Sequence, residues 1–304
     1  MTNMRYFFKA FGETFCAIYL QAELLPLLHA VFPNPAQPRR SAMRLNYETR
    51  IFPHAKLKTG DTSHSIQRQT FYLRQQGHLC VTVSEKEAAA TIFIDARWLK
   101  NSAEAVKALL IECPVLVLLA WCRMPYVQAA AVSRYNKGIL LLGASGSGKS
   151  TLAYACAQHG FKVLSEETVF IHQKDHRLEL VTESRSIRLR LESKHFFKGL
   201  AFTCWEKSAS AERKGLITLP QPQQRQRVGL HAVALLTAKS DPQKISAQQA
   251  YDHIRAALPF DRGGVTRRHQ HTYRQLARLC QTVLPLSDSP MERVTQLKKM
   301  IRSQ

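Results

Sequence analysis

Through the first third of the chain, apolar and polar positions alternate over short stretches with the period of strands rather than helices. Residues 6–11 and 14–20 flank Gly12-Glu13 and predict a hairpin. Residues 22–32 have the spacing of a short helix, and the run from Pro33 to Ser41 is a loop by composition. Residues 69–75 and 78–83 bracket Gln76-Gly77 as a second hairpin, and residues 91–94 add a strand. Ser102 then caps a predicted helix reaching Trp121, with a bend expected at Pro114. Past this point the pattern changes to buried strands alternating with helices. Residues 126–133 and 138–142 bracket Arg134-Tyr-Asn-Lys137 as a hairpin, and residues 151–158 are Ala-rich and helix-prone before Gly160. Strands are expected at 162–164, 168–172, twice within 178–191, and at 233–237; helices are expected at 247–258 and 272–283. No internal repeat is visible. The reading is an α/β chain with a β-rich N-terminal region, residues 1–100, and a second domain, residues 101–304.

Between the apolar run Gly138-Ile-Leu-Leu-Leu142 and the Ala-rich helix stands Gly143-Ala-Ser-Gly-Ser-Gly-Lys-Ser150. It fits the phosphate-binding pattern G-x-x-x-x-G-K-[ST] at every fixed position. Each position has a physical task. Gly143, Gly146 and Gly148 let the backbone turn so that the N–H groups from Ala144, Ser145 and Ser147 onward can face phosphate oxygens. Lys149 supplies a point charge to the terminal phosphates, and Ser150 offers a hydroxyl to bound Mg²⁺. Thr151 begins a helix whose N-terminus also favours an anion. Strand, glycine loop and helix occur in the order the chemistry requires, so residues 143–151 form the expected nucleotide site.

Composition adds bounds. With 304 residues and 45% hydrophobic content the chain can bury one large core or two modest ones. No apolar run approaches the ~20 residues of a membrane-spanning helix, and no signal peptide is evident. The seven cysteines (Cys16, Cys80, Cys113, Cys122, Cys156, Cys204, Cys280) form no C-x-x-C pair and lie mostly in apolar runs, as expected of reduced thiols in a cytoplasmic protein. The net charge of +21 and pI near 10.0 favour anionic partners. The basic residues are spread along the chain without the aromatic interleaving used to stack bases, which argues against nucleic acid.

A loop that holds phosphate needs an acidic group to complete a Mg²⁺ site, and a base if the phosphoryl group is passed to a hydroxyl. Glu166-Glu167 follow the loop helix at a strand end, where such groups belong. One carboxylate can hold metal while the other accepts a proton; a solvated turn bearing two acids is the alternative. Three stretches together resemble the catalytic domain of the HPr kinase/phosphorylase family: residues 127–132, residues 138–153, and Gly160-Phe-Lys-Val-Leu-Ser-Glu-Glu167. The similarity is nearest to the short HPr-kinase-like proteins, including those that tailor lasso precursor peptides. It runs over about residues 105–172, and Ala10-Phe-Gly12 with Ala22-Glu-Leu-Leu-Pro26 is similar to their opening segment.

The resemblance implies a P-loop kinase core of HPr kinase/PEP carboxykinase-like type over residues 101–304. It implies ATP and Mg²⁺ as cofactors, and a peptide or protein with an acceptor serine as partner. Glu167 matches the family's catalytic base, Ser150 a metal contact, and Glu166 a second metal ligand; Lys149 would act on the transferred phosphoryl group. Glu183 is a weaker metal candidate by approximate register. Arg188, Arg190 and Lys214 either meet phosphates or an acidic peptide, or are ordinary exposed charges. Three departures stand out. Glu166-Glu167 replace the family's usual Asp-Asp. Gln128, 21 residues before Lys149, stands where the family has His. The later motif on which phosphorylase activity depends is absent. These departures keep open a non-catalytic nucleotide-binding regulator beside the kinase. A homo-oligomer is compatible with the resemblance, since true HPr kinases form hexamers, but no residue here fixes the state.

Overall fold

The structure is a computed structural model. It describes residues 5–11, 13–18, 24–50, 62–67, 70–75, 79–95, 104–175, 177–182, 186–207, 213–218, 226–237, 245–258, 269–285 and 289–302. The chain divides into two units, Met1–Met124 and Pro125–Gln304. The division thus falls after the helix expected to start near residue 102, rather than before it at about residue 100.

In the first unit, β1 (Arg5–Ala10) and β2 (Glu13–Ile18) form the expected hairpin. They are joined to β3 (Met43–Arg50), β4 (Thr62–Gln67), β5 (Thr70–Gln75), β6 (Leu79–Ser84) and β7 (Ala89–Asp95) in a mixed sheet of order β1-β2-β3-β7-β6-β5-β4. Strands β3 and β4 add to those the alternating pattern predicts. The helix α1 (Leu25–Val31) lies inside the expected 22–32 stretch, and α2 (Glu104–Cys122) passes through Pro114 as one element. Phe8 stacks between Phe15 and Phe32 at ring distances of 5.4 and 5.3 Å, which anchors the hairpin to the loop after α1.

The second unit carries β8 (Tyr126–Gln128), β9 (Ala130–Arg134), β10 (Lys137–Leu142), α3 (Lys149–Gln158), β11 (Lys162–Ser165), β12 (Thr168–Lys174) and β13 (Arg177–Thr182). A smaller sheet follows, made of β14 (Ser186–Arg190), β15 (Cys204–Lys207) and β16 (Arg213–Thr218), with a 3-10 segment at Leu191–Phe196. The chain ends with β17 (Gln226–Thr237), α4 (Ala247–Ala256), α5 (Gln270–Leu279), β18 (Cys280–Pro285) and α6 (Pro290–Arg302). The main sheet has the order β11-β9-β10-β17-β13-β12-β8, with β18 also on β17.

That order closes on itself. Only Ala129 separates β8 from β9, yet β8 pairs with β12 while β9 pairs with β10 and β11. The chain from β8 through β9 therefore runs as one antiparallel partner along the chain from β11 through β12. Tyr135 and Asn136, both at positive φ (52° and 59°), make the tight turn from β9 into β10.

The apolar run of β10 is explained by cover on both faces. Leu140 and Leu142 share a buried cluster with Ile254 of α4 and Tyr273 and Leu276 of α5. Ile139 and Leu141 share another with Leu152 and Cys156 of α3 and Leu297 and Ile301 of α6. The expected helix at 272–283 is corrected: α5 stops at Leu279, and β18 runs parallel to β17 from Cys280. The edge of β17 beyond β13 is open for pairing there, and that tertiary demand overrides helical continuation. Burial pushes the Cys156 and Cys280 thiols up to about 12, so both stay protonated and behave as core residues. Among the described residues no helix is long and apolar enough to cross a membrane.

Candidate functional site

The loop after β10 has the backbone that its glycines predict. Gly143, Gly146 and Gly148 sit at φ of 152°, 83° and 82°, values that side chains resist. Gly143 needs its lack of Cβ for space as well. An added carbon would collide with the Ser147 hydroxyl and lie 2.9 Å from the Leu236 carbonyl oxygen of β17. The Ser147 N–H donates to Ala144 O at 3.1 Å, and Gly148 caps α3 by accepting from the Leu152 N–H at 2.8 Å. Lys149 turns back over the loop and donates to Gly143 O at 2.8 Å and Ala144 O at 2.9 Å. Burial lowers its pKa, opposed by nearby Glu167 and reinforced by Lys214. The Ser147 hydroxyl is buried and meets no partner among the described residues.

The two acids lie where the β11–β12 chain passes the loop. Ser165 shapes that turn: its hydroxyl donates to Thr168 O at 2.7 Å and accepts from the N–H groups of Glu167 (3.3 Å) and Thr168 (3.1 Å). Glu166 is only 8% exposed. It accepts the Arg188 N–H at 2.7 Å and pairs with Arg188 Nε at 2.9 Å. Burial nevertheless raises its pKa to about 7, against the lowering effect of Arg188. Glu167 is half exposed, accepts from Gln128 Nε2 at 3.2 Å, and lies 3.8 Å from Arg188 Nη1.

These groups share one cleft of about 430 Å³. It is lined by the loop from Gly143 to Thr151 (Ser147 excepted), by Glu166 and Glu167, and by Gln128. Arg188 and Arg190 of β14 and Lys214 of β16 complete a basic wall. Thus nearly all the residues singled out in the sequence come together; Glu183 lies outside the described residues. His253, Ala256 and Ala257, from α4 and its C-terminal end, also line the cleft. Nothing local in the sequence marks them: the Ser246–Gln249 capping box announces only that a helix starts there.

The donor set suits a magnesium nucleotide. Mg²⁺ takes one or two protein oxygens and fills its octahedron with phosphate oxygens and waters, so a hydroxyl and a carboxylate suffice. Among the described residues no cluster of three or more His, Cys, Asp or Glu is arranged to hold a metal by itself. A lysine lining the cleft and donating to carbonyls of its own loop fits a site shaped for phosphate.

Strand, glycine loop, helix and acid pair thus meet at one cleft. No family model matches the chain. Over 126 residues it is 30% identical to the HPr kinase/phosphorylase of Lactobacillus delbrueckii subsp. bulgaricus, covering 41% of this chain and 39% of that protein. The chain therefore spans about two fifths of the length of the curated relative it matches. Among solved structures, the Hpr(Ser) kinase/phosphatase of Coxiella burnetii aligns over 59% of this chain and 97% of its own, at 12% identity and a TM-score of 0.32.

Proposed function

We propose that this protein is an ATP- and Mg²⁺-dependent kinase that transfers a phosphoryl group to a serine-type hydroxyl of a peptide or protein. The observation that carries the reading is the placement of Glu167 in the same cleft as Lys149 and the loop amides. The similarity to an HPr kinase/phosphorylase supports it. Residues 143–151 would hold the triphosphate, with Lys149 leaving its loop carbonyls for phosphate oxygens. Ser150 and Glu166 would hold Mg²⁺, which when bound neutralises charge on the phosphates. Glu167 would take the acceptor proton, oriented by Gln128 Nε2. No covalent enzyme intermediate is needed, because positioning and charge neutralisation carry most of the acceleration. Within this class, the resemblance to the short lasso-tailoring kinases supports a serine of a precursor peptide as the acceptor. We place the protein in the cytoplasm on the same reading.

The test is Glu167→Gln. Gln keeps the size and accepts a hydrogen bond but cannot take a proton. Nucleotide affinity should hold within a few-fold while transfer to a serine peptide falls by roughly 10²–10⁴. Parallel loss of Mg²⁺–nucleotide affinity would make Glu167 a metal ligand instead. Absence of transfer by the wild type, with nucleotide still bound, would favour the regulator to which Gln128 in place of His also points.

A further inference from the structure

Beside the loop lies a surface that holds no nucleotide in the scheme above. The 3-10 segment Leu191–Phe196 is tied to the first turn of α3 by Ser193 Oγ and Thr151 Oγ1, 3.2 Å apart. The Phe197 ring meets Tyr154 of α3 edge-on at 4.8 Å. Whatever sits on this segment is therefore fixed relative to the phosphate site. The Phe202 ring lies against Gly215 of β16, where any Cβ would overlap it. Trp205 packs on Phe202 at 4.8 Å, and Lys194 Nζ stands 5.2 Å from the centre of that ring. The result is a Phe202–Trp205 ring pair edged by the Lys194 cation of the 3-10 segment.

The stretch from Leu191 to Trp205 is apolar for an exposed surface. Leu191, Phe196 and Trp205 are 51%, 58% and 48% exposed, and they are three of the five large hydrophobic side chains exposed among the described residues. The same stretch is basic: Arg188, Arg190, Lys194 and Lys198 stand against Glu192 alone over residues 188–198. It leads into the cleft, since the Arg190 guanidinium nitrogens lie 3.8 and 3.9 Å from where a Cβ on Gly146 would stand. Exposed Trp and Phe beside cations have the composition of a protein-binding patch rather than of ordinary surface.

We propose that Lys194, Phe196 and Trp205 dock the acceptor, and that the acceptor is a polypeptide segment with acidic and apolar side chains next to its hydroxyl. Acidic side chains complement the basic edge, apolar ones cover the rings, and continuity with the cleft delivers the hydroxyl to the transferring phosphate. The proposal rests on the kinase reading, and its test separates the two.

The probes are two short fluorescein-labelled serine peptides, one with Asp, Glu, Leu and Phe around the serine and one with Lys replacing the acids. Anisotropy with the full chain, Mg²⁺ and a non-hydrolysable ATP analogue should show the acidic peptide binding about tenfold tighter or better, the effect of one good anchor. Lys194→Glu, and separately Phe196→Ser with Trp205→Ser, should remove that preference. Affinity for a fluorescent ADP analogue should not move, because none of the three residues lines the cleft. All three side chains lie outside the buried core, so the variants keep it, and Lys194→Glu decides alone if the double variant melts early. Equal binding of both peptides, or variants that bind like wild type, overturn the proposal. So does tighter, variant-sensitive binding of single-stranded RNA or phosphatidylserine vesicles. If the acidic peptide docks as described but receives no phosphate, docking stands and the kinase reading falls. If both peptides are phosphorylated equally well, the kinase stands and this docking surface falls.

Discussion

Replacing Glu166 by Gln should make the metal-free protein more stable at pH 8. The reason is the environment of this carboxyl: nine-tenths buried, with one arginine beside it, and a pKa raised from the ordinary 4.5 to about 7. Below 4.5 the group is protonated in folded and unfolded chains alike and adds no pH dependence. Between 4.5 and about 7 the folded protein holds a proton that the unfolded chain has lost, so stability falls as pH rises. Above about 7 the loss is complete. At roughly 1.4 kcal/mol per pKa unit the whole effect approaches ~3 kcal/mol, and relaxation around the half-exposed Arg188 makes that a ceiling. Gln has the shape of the protonated acid and carries no charge at any pH. Calorimetry of both proteins without metal should give matching midpoints near pH 4.5 and a Gln variant several degrees higher at pH 8. Adding Mg²⁺ and nucleotide should raise the wild type more than the variant, if the charge that destabilises the empty fold is the one the proposed ion site uses. A wild type and a variant with the same pH dependence would refute the burial argument. A variant less stable at pH 8 than wild type would show that the Arg188 pair outweighs desolvation.

Lys149→Ala should abolish nucleotide-dependent phosphorylation while moving the thermal midpoint little, since its hydrogen bonds go to carbonyls of its own loop; wild-type activity would remove the kinase reading. Ser150→Ala should weaken nucleotide binding more with Mg²⁺ than in EDTA, and equal losses would contradict a metal contact. Gly146→Ala should cost about 1–2 kcal/mol, because positive φ is what opposes it and the nearest groups, on Arg190, are 3.8 Å away. Gly143→Ala should cost more and lose nucleotide binding outright, as the new carbon meets Ser147 and the Leu236 carbonyl; equal effects of the two, by melting and nucleotide titration, would refute the packing argument.

The loop and the strands around it are legible in the sequence because their signals are local. A glycine at a required φ and an apolar run covered on both faces need no distant partner to be read. The hairpins β1–β2 and β5–β6 are legible for the same reason, each joined by a short break in an alternating pattern. What stays hidden depends on tertiary pairing. Strand β3 takes its place only because β2 and β7 lie parallel on either side of it, and β18 exists because β17 offers an edge. Arg188 reads in sequence either as a cation for phosphates or an acidic peptide or as an ordinary exposed charge. Its contact with Glu166 requires the smaller sheet to meet the β11–β12 turn. The helix α4 reaches the cleft by topology alone, which no spacing in the chain records.

The acid pair shows how adjacency in sequence becomes division of labour in space. Ser165 pairs with Ala131 and Thr168 with Gln128, so Glu166 and Glu167 form the bend between two antiparallel ladders, alongside Ala130 and Ala129. The Ala129 N–H donating to Glu167 O at 3.0 Å keeps that register through the bend. Glu166 reaches the Arg188 backbone and loses water, while Glu167 keeps half its surface and meets Gln128. The two carboxylates thus stand in unlike environments on one cleft, which is the condition for unlike roles. Glu is one methylene longer than the Asp of the family pattern, and that length is used. Glu166 spans to both Arg188 N and Nε, and Glu167 reaches the Gln128 amide. Gln128 sits on the same ladder, paired with Thr168, so losing the imidazole removes a titratable group but keeps a donor aimed at the carboxylate proposed as base. On the facing side Lys149 donates to two loop carbonyls with its charge disfavoured by burial, and on the proposed reading a phosphate would pair with it. Nucleotide binding on this design calls for side-chain exchange at a preformed loop, and the acids are held in register by strand pairing that the exchange leaves untouched.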